Sequence, residues 1–399
     1  MKVLITSDWY EPVINGVVTS VLTLKEELEK RGHEVRIVTL SEQGWAYRQE
    51  EVYYLRSVDA GRIYPGARAV CLPGCGYMKE LLDWEPDVIH SQCEFSSFLI
   101  ARKIAERLRI PIVHTYHTVY EDYTHYFSAG KPWGKQAAAL FSRFILGKTD
   151  WVIAPTEKVR GLLEGYGVDR PISVIPTGIR TGKFLPASWN EENEERARVR
   201  ARFGIGEDRL VLIALGRLAR EKNLEEILTY FGRLGDERME LLIVGDGPQR
   251  AELEALANRS PSRERIHFAG MADPADTPAY YHAADLFVCA SRSETQGLTY
   301  LEALAAGLPV LCRKDACIDG IVRNGENGYQ YETWEEFRTA CLYLAKDAQL
   351  RNLFSCQAVR TGMEFDAAQF GRKVEEVYGY AIDSLKEKER AMHSAVRSA

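Results

Sequence analysis

Short, nearly continuous apolar runs alternate with amphipathic stretches along the whole chain. Continuous hydrophobicity is typical of parallel strands that are covered by helices on both faces. The first series of runs is KVLIT (2–6), EVRIVTL (34–40), DVIHS (87–91), PIVHTY (111–116), WVIAP (151–155) and ISVIP (172–176). The second series is LVLIAL (210–215), ELLIVG (240–245), RIHFAG (265–270), DLFVCA (285–290) and PVLC (309–312). Two such series predict two doubly wound α/β domains, each built on a parallel sheet.

The stretches between these runs have the periodicity of helices that pack on a sheet. In VLTLKEELEKRG (21–32) the apolar residues fall on one stripe, and a glycine ends the predicted helix. The segment between Pro176 and Trp189 is rich in Gly, Pro, Ser and Thr, which indicates a domain boundary. The predicted parts are an N-terminal Rossmann-like domain (1–180), a C-terminal Rossmann-like domain (181–370) and a C-terminal helix (371–399) that can cross back to the first domain. A cleft between two such domains would face the carboxyl ends of both sheets, where ligands bind in these folds.

Composition restricts the class of protein further. The 46% hydrophobic and 27% charged residues are ordinary for a soluble globular protein. The longest apolar run (210–215) is far shorter than the ~20 residues of a spanning helix. The N-terminus reaches Asp8 before any apolar core of a signal peptide can form. The net charge of −6 argues against a general nucleic-acid-binding protein.

The sequence predicts no metal site. None of the eight cysteines forms a C-x-x-C pair, so we interpret them as reduced thiols of a cytosolic protein. The histidines of HTYHTVYEDYTHYF (114–127) lack the H-E-x-x-H spacing, and the change from strand to loop separates their side chains. His117, at the carboxyl end of the predicted strand, is instead a candidate for the catalytic site.

The strongest candidate site is SRSETQGLTYLEALAAGLPV (291–310), in which a buried strand runs into a polar turn and then a helix. The start of a helix is an anion site because its first N–H groups have no acceptor within the helix. The N–H groups at this start belong to Gly297, Leu298 and Thr299. Glu294 and Glu302 flank them, and carboxylates accept hydrogen bonds from pairs of sugar hydroxyls. On the residues alone, an equally good interpretation is that Glu294 is only an exposed loop charge and Glu302 only a favourable charge in the first turn of the helix.

Two further turns follow strands at the same predicted edge. In GRLAREKN (216–223), Arg217 offers a planar fork for phosphate oxygens and Lys222 adds a point charge. In PVINGVVTS (12–20), the turn at Asn15-Gly16 brings the main chain close to the start of a helix. Neither turn has the glycine pattern of a dinucleotide-binding or P-loop motif.

A basic segment with aromatic residues lies in the first domain, where no Asp or Glu occurs between Tyr123 and Thr149. Its candidate membrane-contacting or acceptor-contacting residues are Lys131, Trp133, Lys135, Phe141, Arg143, Phe144 and Lys148. A basic amphipathic helix with aromatic anchors is typical of a membrane-surface element. An ordinary helix packed on the first domain is an equally good interpretation of the pattern.

Together, these segments resemble family 4 of the retaining glycosyltransferases, whose GT-B fold has two facing Rossmann-like domains and an interdomain cleft. The resemblance covers nearly the whole chain, from PVINGVVTS through GRLAREKN and GDGP (245–248) to the glutamate pair. It implies that Arg217, Lys222 and the helix start at residues 297–299 neutralise the diphosphate of a nucleotide-sugar donor. It also implies that no metal or other cofactor is used.

The resemblance assigns further roles to single residues. Glu294 would hold the transferred sugar and Glu302 the ribose of the nucleotide. His117 would lie beside the sugar, and Gly16 would approach the phosphates.

YHTVYEDYTHY (116–126) and SETQGLTYLEA (293–303) are similar to the bacterial diacylglycerol glucosyltransferases of this family. Many relatives carry E-x-F-G where this chain has Glu294-Thr295-Gln296-Gly297, a departure that favours the lipid branch. The resemblance thus implies retaining transfer of glucose from UDP-glucose to the 3-hydroxyl of 1,2-diacylglycerol, by a cytoplasmic protein peripheral to the inner face of the cell membrane. Two alternatives stay open: a soluble transferase with a sugar or other small-molecule acceptor, and a non-catalytic nucleotide-sugar-binding protein.

Overall fold

The computed structural model describes residues 1–61, 67–71, 76–123, 133–185 and 189–398. It divides the chain into two compact units. Unit 1 comprises Met1–Gly178 together with Ala367–Ala399, and unit 2 comprises Ile179–Asp366. The junctions therefore fall at 178/179 and 366/367, whereas the sequence predicted them at 180/181 and 370/371.

Unit 1 is built on a mostly parallel sheet. Its described strands are β1 (Lys2–Thr6), β2 (Glu34–Ser41), β3 (Tyr47–Gln49), β4 (Val52–Asp59), β5 (Arg68–Val70), β6 (Val88–Ser91), β7 (Ile112–Thr115), β8 (Trp151–Ala154) and β9 (Ile172–Val174). The strand order is β3-β4-β2-β1-β6-β7-β8-β9, and β5 pairs with β4. Only the β3–β4 and β4–β5 pairs are antiparallel among these described strands. The described helices that precede unit 2 are α1 (Gly16–Lys30), α2 (Met78–Asp83), α3 (Ser96–Leu108), α4 (Trp133–Leu146) and α5 (Glu157–Gly165).

Unit 2 is built on a parallel sheet of six described strands in the order β12-β11-β10-β13-β14-β15. These strands are β10 (Leu210–Leu215), β11 (Met239–Val244), β12 (Ile266–Gly270), β13 (Leu286–Cys289), β14 (Val310–Arg313) and β15 (Gly328–Tyr331). Its described helices are α6 (Thr181–Phe184), α7 (Trp189–Arg202), α8 (Leu224–Leu234), α9 (Arg250–Asn258), α10 (Thr277–His282), α11 (Leu298–Ala305), α12 (Trp334–Lys346) and α13 (Ala348–Met363). The two α/β domains with parallel sheets that the sequence predicted are thus confirmed.

The last helix, α14 (Ala367–Ser398), returns to unit 1 after the chain has completed unit 2. Its apolar residues Phe370, Val374 and Tyr378 pack with Val3 and Val113 on one face of the first sheet. The other face is covered by α3, so the central strands of this sheet are buried on both sides. This two-sided burial is why these strands are almost continuously apolar in the sequence.

In both units the parallel strands end at one edge of the sheet. The loops that follow β1, β6 and β7 therefore meet in unit 1, and those that follow β10, β11 and β13 meet in unit 2. This edge is the ordinary ligand site of doubly wound sheets. No described helix is both long enough and apolar enough to cross a membrane.

Candidate active site

Two loops of unit 2 are joined by backbone hydrogen bonds. The N–H of Gly216, after β10, donates to the carbonyl of Val244 at 2.9 Å, and the N–H of Leu218 donates to that of Asp246 at 3.0 Å. Gly245 has a φ of +134°, and a side chain there would approach the carbonyl oxygen of Gly216 to 1.9 Å. Only glycine fits this position. The backbone of the GDGP turn therefore packs directly against that of the GRLAREKN loop.

The same loop is joined on its other side to the segment that follows β13. The N–H of Arg292 and the hydroxyl of Ser291 both donate to the carbonyl of Glu221, each at 3.3 Å. Lys222 Nζ then lies 2.5 Å from Glu294 Oε1. Two residues from different sequence motifs are thus brought into direct contact at the carboxyl edge of the sheet.

Glu294 is buried, and its charge is balanced by Lys222. Burial raises the pKa of this carboxyl, but the Lys222 charge and the hydrogen bonds from Lys222 and Ser291 lower it by more. The net pKa therefore lies below the ordinary range of a glutamate. Glu294 is a hydrogen-bond acceptor at neutral pH and is not available as a proton donor.

Helix α11 begins at Leu298, four residues after Glu294. Gly297 has a φ of +75° and stands at the N-cap position. A side chain on it would come within 2.5 Å of the Tyr300 ring, so the residue must be glycine. The first N–H groups of α11, those of Leu298 and Thr299, have no acceptor within the helix, and the positive end of the helix dipole lies beside them.

Glu302 lies in the second turn of α11 in a different electrostatic environment. The Tyr281 hydroxyl donates to Glu302 Oε2 at 3.0 Å. Burial raises the pKa of Glu302 to about 7, although that hydrogen bond and the Lys183 charge both act to lower it. Lys183 donates its hydrogen bond to the carbonyl of Pro274, and no ion pair of Glu302 is found among the described residues.

Two further candidate residues are exposed: Arg217 lies in the loop after β10, and Gly16 lies at the start of α1. The guanidinium of Arg217 makes no hydrogen bond or ion pair with a described residue, and the side chain is exposed. Gly16 is the first residue of α1 and is exposed, and the Asn15 side chain caps this helix by accepting from the Val18 N–H at 2.9 Å. Both positions are open to a ligand at the edge of their own sheet.

In unit 1, His117 follows β7 and contacts Gln92, which follows β6. His117 Nε2 donates to Gln92 Oε1 at 2.6 Å. Burial lowers the pKa of His117 to about 4, although the Glu94 charge acts in the opposite direction. The ring is therefore neutral at pH 7, and with the proton on Nε2 its Nδ1 atom is a hydrogen-bond acceptor.

Glu94 joins His114 to an aromatic cluster. Its Oε1 accepts from His114 Nε2 at 3.2 Å, and its Oε2 accepts from the Tyr120 hydroxyl at 2.6 Å. The Tyr120 ring packs edge-on against both Phe95 and Phe141, at centroid distances of 5.9 and 5.6 Å. The polar residues that follow the strands of unit 1 are thus connected, through Tyr120, to Phe141 of α4.

Helix α4 has one packed face and one exposed face. Ala138, Ser142 and Leu146 are buried in unit 1, whereas Leu140 is 67% and Phe144 63% exposed. Phe141 lies between the two faces and stacks on Phe95. One face of the helix is therefore packed on unit 1, and the other presents exposed apolar side chains.

Basic side chains surround the exposed face of α4. The exposed Arg143 and half-buried Lys148 line a cavity of about 430 Å³ together with Leu140, Phe144, Gly147, Asp169 and Arg170. Lys148 Nζ lies 4.3 Å from the centre of the Phe144 ring. Lys135 is also exposed and lies 3.5 Å from Glu121. Lys131 and the side chain of Trp133 lie outside the described residues.

The sequence motifs did not reveal Gln92, Glu94, Tyr281 or Lys183. Each of these side chains is held by a hydrogen bond to a residue in a distant part of the chain. No local spacing in the sequence therefore indicates its position. The only signal for Gln92 and Glu94 was their position directly after a predicted strand. Among the described residues no group of three His, Cys, Asp or Glu side chains could hold a metal ion.

Comparison with known families finds two matches that together span most of the chain. The family model described as "Glycosyltransferase Family 4" matches residues 14–183. The one described as "Glycosyl transferases group 1" matches residues 195–359.

Two curated relatives are similar over nearly the whole chain. One is an alpha-monoglucosyldiacylglycerol synthase of Streptococcus pneumoniae (strain ATCC BAA-255 / R6), 35% identical over 96% of this chain and 87% of the relative. The other is an alpha-monoglucosyldiacylglycerol synthase of Acholeplasma laidlawii, 30% identical over 97% of this chain and 99% of the relative.

Solved structures share the fold at low sequence identity. Anabaena Alr3699/HepE in complex with UDP and glucose has a TM-score of 0.74 and 17% identity, over 95% of this chain and 100% of that one. WaaG, a glycosyltransferase involved in lipopolysaccharide biosynthesis, has a TM-score of 0.71 and 18% identity, over 94% and 99% of the two chains. At this identity the likeness shows the fold alone, which is GT-B.

Proposed function

The chain belongs to glycosyltransferase family 4, and from that membership we propose that it transfers glucose from UDP-glucose to the 3-hydroxyl of 1,2-diacylglycerol, with retention at the anomeric carbon. The two relatives with nearly complete coverage, both named alpha-monoglucosyldiacylglycerol synthase, support the lipid acceptor. The complex of Alr3699/HepE with UDP and glucose supports a UDP-glucose donor for this fold.

The contact between Lys222 and Glu294 beside the start of α11 is the observation that carries the proposal. A diphosphate leaving group needs positive charge where its own negative charge develops. Lys222, the exposed fork of Arg217 and the N–H groups of Leu298 and Thr299 supply it within unit 2. These groups would serve the donor without a metal ion.

The two glutamates would hold the hydroxyl-bearing parts of the donor. Glu294 is ionised and fixed by Lys222, and it would accept hydrogen bonds from the transferred glucose. Glu302, in the second turn of α11, would accept from the ribose hydroxyls. In both roles the carboxylate only accepts hydrogen bonds. Neither glutamate would attack the sugar as a nucleophile.

Retention then follows from a displacement on one face of the sugar. The bond between the anomeric carbon and the diphosphate oxygen breaks, and the bond to the acceptor oxygen forms on the same face. The acceptor proton passes to the departing diphosphate, which balances the step. His117, neutral and held by Gln92, would lie beside the sugar and accept a hydrogen bond at Nδ1.

The exposed face of α4 supports an acceptor taken from a membrane. Leu140 and Phe144 place apolar surface in solvent, and Arg143 and Lys148 place positive charge around it. Each basic residue adds about 1 kcal/mol of attraction to an anionic leaflet. This surface supports the proposal that the enzyme is a peripheral protein of the inner face of the cell membrane.

Incubation with labelled UDP-glucose and 1,2-diacylglycerol in anionic vesicles, followed by solvent extraction, tests the proposal. We expect label in the organic phase only when diacylglycerol is present, and vesicles without it are the control. Release of UDP with all label left in water would contradict the lipid acceptor and favour a soluble transferase. Binding of UDP without release of any product would favour a non-catalytic nucleotide-sugar-binding protein.

A further inference from the structure

One carboxylate at the carboxyl edge of the unit 2 sheet accepts hydrogen bonds from four segments of the chain. Glu226 Oε1 accepts from Arg313 Nη1 at 2.8 Å and from the Tyr331 hydroxyl at 3.0 Å. Its Oε2 accepts from Asn223 Nδ2 at 2.9 Å and from Arg292 Nη2 at 3.0 Å. These four residues lie at the ends of β14 and β15 and in the loops after β10 and β13. Glu226, on α8, therefore connects four strand ends.

The chemistry of Glu226 suits this position. Its side chain is mostly buried, and burial raises the pKa of the carboxyl, but the hydrogen bonds from Arg292, Arg313 and Asn223 lower it by more. The net pKa lies below the ordinary range, so the group is ionised at neutral pH. An ionised carboxylate has two oxygens with about four lone-pair sites and no hydrogen, and it can therefore accept all of these hydrogen bonds at once.

Two of the four residues are close neighbours of Lys222 and Glu294 in the chain. Asn223 directly follows Lys222, and Arg292 precedes Glu294 by two positions. Asn223 has a φ of +51°, in the left-handed region that asparagine adopts more readily than most residues with a side chain. Its hydrogen bond to Glu226 fixes the direction in which the chain leaves Lys222.

Arg292 is held to the same loop at two points. Its guanidinium binds Glu226, and its backbone N–H donates to the carbonyl of Glu221 at 3.3 Å. The residues on both sides of Lys222 are thus joined to Arg292, Glu221 directly and Asn223 through Glu226. The contact of Lys222 Nζ with Glu294 Oε1 at 2.5 Å lies within this frame.

We propose that Glu226 is a positioning residue of the donor site: it holds the loops after β10 and β13 at the spacing that places Lys222 against Glu294 and the donor diphosphate. The inference rests on the proposed function and deepens it, because it names the side chain that orders the positive charge for the leaving group. Both oxygens of Glu226 are already used by described residues. Glu226 therefore acts on the diphosphate only through Lys222.

Glu226→Gln tests the role because it keeps the shape of the side chain and removes one acceptor atom. Each oxygen binds one arginine, so the new amide group faces an arginine in either orientation. We expect Lys222 to be displaced and the Kd of UDP, measured by calorimetry, to rise at least ~10-fold, as for loss of a hydrogen bond to a charged group. The rate of glucose transfer to 1,2-dioctanoylglycerol in detergent micelles should fall at least as much.

A double variant separates positioning from general damage to unit 2. If Glu226 acts through Lys222, then Glu226→Gln should change the Kd of UDP by no more than about twofold once Lys222→Met is present. An equal loss of affinity in both backgrounds would show a merely structural role and overturn the proposal.

Asp285→Asn is the matched control. Asp285 also accepts from two arginines, Arg196 and Arg200, each at 2.9 Å, but it directly precedes β13 at the opposite end of the strands. Thermal unfolding shows at which temperature each variant is folded, and UDP binding is compared below it. We expect both variants to lose stability and only Glu226→Gln to lose UDP affinity. Equal losses of affinity would contradict the assigned role.

Asn223→Gly is the second variant if Glu226→Gln does not fold. Glycine keeps the left-handed backbone and removes the amide that binds Glu226. We expect UDP affinity to fall at least ~3-fold, as for loss of one hydrogen bond, and this loss too should vanish in the Lys222→Met background. Wild-type affinity in this variant would overturn the proposal.

The outcomes also separate the positioning role from the proposed function, since UDP binding needs no acceptor. If the wild type glucosylates dioctanoylglycerol and Glu226→Gln binds UDP like the wild type, the role is wrong and the lipid activity stands. If the wild type binds UDP but glucosylates no lipid, the lipid activity is wrong, and the role stands when the double variant shows the expected dependence on Lys222. If the wild type does not bind UDP, both are wrong.

Discussion

Two glutamates on either side of one helix start differ in their ionisation because they have different neighbours. Glu294 contacts Lys222, and this contact keeps its pKa below the ordinary range despite burial. Glu302 contacts the hydroxyl of Tyr281, which is neutral, and burial raises its pKa to about 7. The first is a fixed acceptor at any physiological pH, whereas the second changes charge within that range.

Replacing Glu294 with glutamine removes the fixed acceptor but keeps the shape of the side chain. We expect Glu294→Gln to reduce turnover at least ~100-fold, the range seen for loss of one preorganised electrostatic contact. Initial rates of transfer measure the effect, and thermal unfolding checks the fold. Glu240→Gln, which alters a buried carboxylate bound to His267, should keep turnover close to the wild-type value. Comparable losses in both variants would contradict the assigned role.

The raised pKa of Glu302 predicts how donor binding depends on pH. Ribose hydroxyls donate to the carboxylate, so binding favours the ionised form, and below pH 7 the free protein must first release a proton. The affinity for UDP-glucose should therefore rise as the pH increases through about 7 and level off above it. Calorimetry between pH 5.5 and 8.5 measures this dependence. A Glu302→Gln variant should show a weaker affinity without that rise, and a rise retained in the variant would exclude Glu302 as its source.

Local motifs in the sequence predicted only some of these residues. Arg217, Lys222 and Glu294 stood out because each follows a recognisable strand within a few residues, and Glu302 stood out because it lies in the helix that comes next. Gln92 did not, since its importance depends on His117, which is 25 positions away. Their proposed roles stay predictions until the variants above are measured.

At the scale of elements, the start of α11 depends on the backbone of one glycine. Gly297 and Gly320 have φ values of +75° and +78°, but a side chain would meet the Tyr300 ring only at the first of them. We expect both alanine variants to lose stability through backbone strain, of about 1–2 kcal/mol. Only Gly297→Ala should also weaken UDP binding, because only there does the helix start have to move. Equal UDP affinities in the two variants, measured by calorimetry, would contradict this use of the helix start.

The exposed face of α4 gives a second prediction at this scale. Leu140→Glu together with Phe144→Glu should abolish sedimentation of the protein with anionic vesicles, since the change removes apolar contact and adds negative charge. Leu353→Glu on α13, at a residue that is 57% exposed, is the control and should sediment like the wild type. Retained sedimentation of the double variant would show that another surface contacts the lipid.

Some elements could not be predicted from the hydrophobic pattern. The strands β4 and β15 were missed because their sequences, VYYLRSVD and GYQY, mix polar and aromatic residues. Strand β15 lies at an edge of the second sheet, and β4 has antiparallel neighbours, so neither shows the continuous apolar run of a central parallel strand. The central strands were predicted because both of their faces are buried.

At the scale of the whole molecule, sequence order and folded units do not coincide. Helix α14 follows unit 2 in the chain but supplies part of the core of unit 1. The sequence indicated a long C-terminal helix from its periodicity. Which sheet this helix covers depends on long-range packing, such as the contact of Tyr378 with His90, and no local pattern encodes that contact.

A substitution in α14 should therefore destabilise unit 1 and leave the donor site of unit 2 unchanged. Tyr378 is fully buried, and its hydroxyl lies 2.7 Å from His90 Nδ1. Tyr378→Ala should cost ~3–5 kcal/mol of stability, as is usual for a large buried aromatic residue. Urea unfolding measures this loss, and hydrogen exchange should locate it in β6 and α1.

Tyr380→Ala on the same helix is the control, because Tyr380 is 56% exposed and should cost far less stability. The Kd of UDP should stay within twofold in both variants, since Lys222, Glu294 and the start of α11 all belong to unit 2. A large loss of UDP affinity in a folded Tyr378→Ala protein would show that unit 2 does not maintain its donor site by itself. Unchanged affinity together with faster exchange in β6 would instead show that α14 stabilises unit 1 alone, although it follows unit 2 in the sequence.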